Sequence, residues 1–146
     1  MKKLVWSLLA CCVVLRVSAA EEEWMTDLPK TQAKAKTEKK LVLMDFTGSD
    51  WCPPCKQLRK TVLDSTEFKE YAKQNLMLVE IDFPKNKSQS DALKTANKQL
   101  SQRFNISGFP TVVLLDANGK ELGRQVGYGG ENPKNYIAKI DSWRNK

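Results

Sequence analysis

The run Ser49-Asp50-Trp51-Cys52-Pro53-Pro54-Cys55-Lys56 sets two thiols at the junction of two different hydrophobic patterns. Before it, Leu41-Val42-Leu43-Met44-Asp45-Phe46 is a nearly continuous apolar run, the pattern of a strand covered on both sides. After it, Leu58, Val62 and Leu63 recur at helical spacing. The first thiol therefore falls at a helix N-terminus, where unpaired backbone N–H groups and the macrodipole favour a thiolate. The second lies one turn inside. Such a pair suits reversible disulfide formation. Cys-x-x-Cys also serves as half of a zinc site, so the motif alone leaves redox and metal readings open.

Working outward, the N-terminus has to be set aside before the fold is considered. Lys2 and Lys3 precede an apolar run from Leu4 to Val17, and Val17-Ser18-Ala19-Ala20 has the small residues of a cleavage site. Residues 1–20 read as a secretory signal peptide, too short for a comfortable membrane span, and residues 21–146 as one domain. The rival reading is a lipid anchor on Cys11, from a loose lipobox at Leu8-Leu9-Ala10-Cys11. It suffers because the residues after Cys11 stay apolar. Cleavage near Ala20 removes Cys11 and Cys12, leaving Cys52 and Cys55 as the only thiols, in a periplasmic or secreted protein. It also removes Lys2, Lys3 and Arg16, so basic residues fall from 24 to 21 against 17 acidic, a net +4.

Of 146 residues, 41% are apolar and 28% charged, as in an ordinary globular domain with a full core. The lysines are scattered without interleaved aromatics, so nucleic acid is not an expected partner. Histidine is absent. That excludes Ser-His and Cys-His catalysis and His-ligated metals. It also excludes c-type haem, since Lys56 stands where that motif needs His.

The remaining patterns complete a chain order. Lys30 to Lys39 reads as a surface helix capped by Thr26 or Asp27, with Pro29 in its first turn. Ser65 or Thr66 caps a helix carrying Phe68, Tyr71 and Ala72. Leu76 to Asp82 is a strand, and Phe83-Pro84-Lys85-Asn86 a turn. Leu93, Ala96, Leu100 and Phe104 mark an amphipathic helix within Ser88 to Phe104. Thr111 to Asp116 and Glu121 to Val126 are strands joined by a hairpin turn at Asp116-Ala117-Asn118-Gly119. Asn132 or Glu131 caps a last helix bearing Tyr136, Ile137, Ile140 and Trp143. The order α-β-α-β-α-β-β-α predicts an α/β domain. Its mixed sheet has helices on both faces, with parallel early pairs and an antiparallel last pair.

Together, the Asp45-Phe46 strand end, Trp51-Cys52-Pro53-Pro54-Cys55-Lys56, Gly108-Phe109-Pro110-Thr111 and the Asp-x-Asn-Gly hairpin resemble the thioredoxin family. The likeness covers nearly the whole mature chain. It is closest to secreted bacterial thioredoxin-like proteins and to the soluble domain that terminates the transmembrane disulfide reductases. The resemblance implies a thioredoxin fold with Cys52 as the exposed attacking thiolate and Cys55 as the buried resolving thiol. Trp51, Pro53, Pro54, Phe109 and Pro110 would form the surface facing a substrate. Pro110 matches the family's cis-proline, and the Phe109 backbone would pair with an extended substrate segment. Asp45 matches the buried carboxylate that helps move the Cys55 proton. Three departures stand out. The Asp45–Cys52 stretch is one residue longer than usual, so Asp50 or Glu80 could share the Asp45 role. The lysine that often neighbours the buried carboxylate has no match, Leu78 standing there. The Ser88–Phe104 helix lengthens its connection.

The expected activity is that of a protein-disulfide reductase acting through a mixed disulfide, with no cofactor and no metal. Its partners would be disulfide-containing proteins and a membrane or periplasmic carrier that resets the dithiol. A monomer is expected. An oxidase or isomerase is the nearest alternative, because direction depends on potential. A purely structural disulfide is weaker, since a two-residue loop constrains little of the unfolded chain. A zinc shell would be half empty with two thiolates and no His, whereas Cu(I) suits two soft ligands. A non-catalytic chaperone or Cu(I)-binding module is the alternative of a different class.

Overall fold

The computed structural model describes residues 24–145, so the expected leader with Cys11 and Cys12 lies outside the described residues. Asp27 caps α1 (Leu28–Glu38), its Oδ1 accepting the Lys30 N–H at 3.0 Å. Leu28, Thr31 and Ala35 form the buried stripe of that otherwise wet helix. Strand β1 (Leu41–Thr47) is buried from Val42 onward, as a strand covered on both faces must be.

The Cys pair opens α2 (Pro53–Leu58), which passes without a break into a π-helical segment, Arg59–Leu63. Ser65 then caps α3 (Thr66–Asn75), which leads into β2 (Leu76–Asp82). Ser90 caps α4 (Asp91–Arg103), and β3 (Thr111–Leu115), β4 (Glu121–Val126) and α5 (Pro133–Arg144) complete the domain. Asn132 caps α5, with Pro133 in its first turn.

The sheet order is β2-β1-β3-β4. β1 and β2 are parallel, with Asp45 opposite Glu80, and β3 and β4 are antiparallel. β3 also follows a helix, yet it pairs with β1 antiparallel. A helix in the connection does not dictate direction, because the chain from Phe83 to Pro110 loops over the end of the sheet before re-entering it. The hairpin turns where expected: Asp116 Oδ1 accepts the N–H groups of Asn118 and Lys120, and Gly119 takes φ +88°.

Two cores lie on opposite faces. Leu43, Leu78, Val112 and Leu114 meet Leu58, Val62, Phe68 and Tyr136 on one side. Val42, Met44, Phe46, Val79 and Val113 meet Leu28, Ala35 and Phe104 on the other. The outer edge of β2 is covered, since Met25 N–H donates to Leu78 O and Met25 O accepts from Glu80 N–H, both at 2.9 Å. α4 departs from its expected packing. Ala96 is exposed, Leu93 and Leu100 are half-buried, and the residue it buries is Asn97. The helix lies over the end of β2, where Asn97 Nδ2 donates to Asp82 O at 2.9 Å.

Candidate active site

Gly48 begins the site. Its carbonyl accepts the N–H groups of Trp51 and Cys52, and the Trp51 indole lies so close that a Cβ here would meet it at 2.5 Å. The longer loop after β1 is held by two carboxylates. Asp82 accepts from Ser49 N–H at 2.9 Å and from Ser49 Oγ–H at 2.6 Å. Asp50 accepts the backbone N–H groups of Lys85 and Asn86, which hold its carboxyl below the usual range. Ser49 and Asp50 therefore staple this loop to the one after β2. Trp51 Nε1–H donates to Phe83 O at 2.8 Å, fixing the indole as a third tie.

Cys52 is the N-cap of α2. Its Sγ accepts the Cys55 N–H at 3.3 Å and is bonded to Cys55 Sγ, with the Cα atoms 5.3 Å apart. A thiolate released at Sγ keeps that N–H and the positive end of the helix beside it. The expectation of an exposed Cys52 needs correction for the disulfide state, where both cysteines are 3% exposed.

Opposite lies the Gly108–Thr111 turn, held by Thr111 Oγ1–H donating to Gly108 O at 2.7 Å. The Phe109–Pro110 peptide bond is cis, and Pro110 O accepts the Gly127 N–H. Among the described residues no hydrogen bond uses the Phe109 backbone. The Phe109 ring stands edge-on to Trp51 at 6.0 Å and stacks on Phe83 at 5.2 Å. Pro53 is exposed and Pro54 half-buried beside this wall.

Asp45 is 2% exposed, and its Oδ1 is unpartnered among the described residues. Burial pushes its pKa from the ordinary 3.8 up to about 7. The Arg59 guanidinium opposes that rise, and the Glu80 and Asp82 carboxylates add to it. Of the two carboxylates that could share its role, Asp50 is spent on the loop. Glu80 instead pairs with Arg59, whose guanidinium also lies 4.3 Å from the Trp24 ring centroid. A cavity of about 250 Å³, lined by Thr47, Cys55, Arg59 and Glu80, lies on this face of the sheet.

Two residues escaped the sequence reading. Phe83 read as part of a turn, yet it completes the aromatic wall, and an aromatic in a wet turn was the available signal. Arg59 lies one helical turn beyond Cys55, a spacing that places both on one helix face. It supplies the cation for which Leu78 left no lysine.

The thioredoxin-like domain family matches residues 28–142. The chain belongs to this family. It is 33% identical over 126 residues to the disulfide bond reductase DsbH of Chlamydia pneumoniae, covering 86% of this chain and 75% of that one. It is 31% identical over 112 residues to the thioredoxin-related protein DsbJ of the same organism, spanning 32% of the latter's length. Among solved structures, a DsbH oxidoreductase superposes with a TM-score of 0.78 at 29% identity, over 98% of this chain and 93% of that one. With this fold and a Cys52–Cys55 disulfide at a helix start, the chain is a thiol–disulfide oxidoreductase.

Proposed function

We propose that this thioredoxin-like chain is exported and reduces protein disulfides. The observation that carries the reading is Cys52 at the N-cap of α2, its Sγ already accepting the Cys55 N–H, opposite the Phe109–Pro110 turn. Similarity to a disulfide bond reductase supports the reducing direction. The leader-like residues 1–20 support export. Among the described residues no helix is long and apolar enough to cross a membrane.

In the reduced protein, the Cys52 thiolate attacks one sulfur of a substrate disulfide. The substrate S–S bond breaks, one substrate thiolate leaves, and a Cys52–substrate disulfide forms. An extended segment lies against Trp51, Pro53 and Pro54, and hydrogen-bonds with the unused Phe109 backbone like an added strand. Cys55 then loses its proton toward Asp45 and attacks Cys52 Sγ. The second substrate thiolate leaves, and the Cys52–Cys55 disulfide holds the two electrons' worth of oxidation. A partner dithiol returns it to the reduced state.

The test is insulin reduction with dithiothreitol as electron source. The wild type should accelerate precipitation, Cys52→Ser should abolish the acceleration, and Cys55→Ser should accumulate a mixed disulfide on Cys52. Undiminished activity in Cys52→Ser sinks the reading. The Cys52–Cys55 potential fixes direction: a value near about −270 mV marks a reductant, and one near about −120 mV an oxidant.

A further inference from the structure

We propose that the pocket beyond Phe83 is a subsite for an acidic stretch of the substrate polypeptide, adjoining its disulfide. This rests on the reductase reading and names what that site prefers. The aromatic wall beside the Cys pair runs from Trp51 through Phe109 to Phe83. On the far side of Phe83, a pocket of about 330 Å³ is lined by Phe83, Pro84, Lys87, Asn97, Lys94 and Lys98. A segment crossing the disulfide along this wall therefore enters the pocket directly.

The charges around it are uneven. Lys87 Nζ donates to Ser49 Oγ, a neutral partner. Lys94 has one carboxylate neighbour, the almost fully exposed Asp91 at 3.4 Å, a pair worth little in water. Lys98 has no ion pair among the described residues. The carboxylates of the neighbouring loops are engaged elsewhere, Asp82 by Ser49 and Asp50 by the N–H groups of Lys85 and Asn86. Three ammonium groups thus rim an apolar pocket with little to neutralise them.

Asn97 is the second, independent observation. It lines the pocket, is 1% exposed, and gives its N–H to Asp82 O while its Oδ1 has no partner among the described residues. A buried acceptor left empty is costly, and a donor arriving with a ligand relieves that cost. The apolar wall, the free acceptor and the lysine rim together match a peptide: side-chain carbon on Phe83, a backbone N–H for Asn97, and carboxylates for the lysines.

The test uses the full chain and three disulfide-linked peptides that differ only in the residues flanking the cystine, which are Glu, Gln or Lys. The Glu peptide should exceed the Gln peptide in kcat/KM by about tenfold at low salt, and the gap should close as salt rises. In the Lys94→Glu/Lys98→Glu variant the ranking of Glu and Lys peptides should invert. The ratio within one variant is the readout, so a general loss of activity does not imitate inversion. Equal rates for Glu and Gln peptides, or a ranking untouched by charge reversal, overturn the subsite and leave the reductase reading standing. Failure to reduce any of the three peptides overturns the reductase reading, and the subsite with it.

Discussion

Asp45 holds a carboxyl where the β1 pattern calls for an apolar side chain, and its cost is legible in pH. Burial raises its pKa from 3.8 to about 7, so the native chain keeps a proton that the unfolded chain releases above about pH 4. The native state binds more protons across that window, and stability falls as pH rises from about 4 to about 7, then levels. Asp45→Asn removes the titration. In urea melts of the oxidised protein, the variant should gain on the wild type by on the order of 4 kcal/mol between pH 4 and pH 8, at about 1.4 kcal/mol per pH unit. A gap that does not change with pH would show that Asp45 ionises normally. The same variant should release mixed disulfides at least about tenfold more slowly and lose the pH step near 7. An unchanged release rate assigns Asp45 a structural role.

At the scale of the element, the π-helical segment Arg59–Leu63 starts one turn after Cys55, and its first residue faces the sheet. Single π-turns inside helices often mark functional sites, because the wider turn re-aims a side chain. Here it carries Arg59 to Glu80, the register partner of Asp45, with Trp24 against the guanidinium. The two charges act on Asp45 with opposite signs. Arg59→Met should therefore raise the pH midpoint of Cys55-dependent release, and Glu80→Gln should lower it. Stopped-flow release rates between pH 5 and pH 9 read both midpoints. Displacement in one direction by both substitutions would mean that the pair is only a strut between helix and sheet.

At the scale of the whole molecule, the disulfide is expected to be dispensable for folding. Two packed faces, not the Cys pair, hold the sheet and helices together. A cross-link closing so short a loop removes little unfolded-state entropy, so reduction should lower stability by no more than about 2 kcal/mol in urea melts. A larger loss would make Cys52–Cys55 a structural tie. The same architecture arranges what recognition needs: the loops after β1 and β2 and the turn before β3 meet at one end of the sheet. There they carry the disulfide and the aromatic wall, with Lys94 and Lys98 of α4 beside Phe83.

The sequence by itself determined the element order, the Asp116–Gly119 hairpin and the Cys pair at a helix start, and it narrowed the helix caps to neighbouring pairs from which the structure selects Asp27, Ser65 and Asn132. Each of these is written locally, in spacing and in side chains that bond their own neighbours. The antiparallel β3, the Arg59–Glu80 pair below Asp45, Phe83 in the aromatic wall and Asn97 at the centre of α4 were decided only by the tertiary structure. Residues 59 and 80, or 83 and 109, are far apart in the chain and carry no periodicity that links them. They meet because β1 and β2 pair in register and the following loops return to one end of the sheet. The motif Trp51-Cys52-Pro53-Pro54-Cys55 supplies the reactive sulfurs, while the protonation of Asp45 and the surface offered to a substrate are set by neighbours that only folding brings within reach.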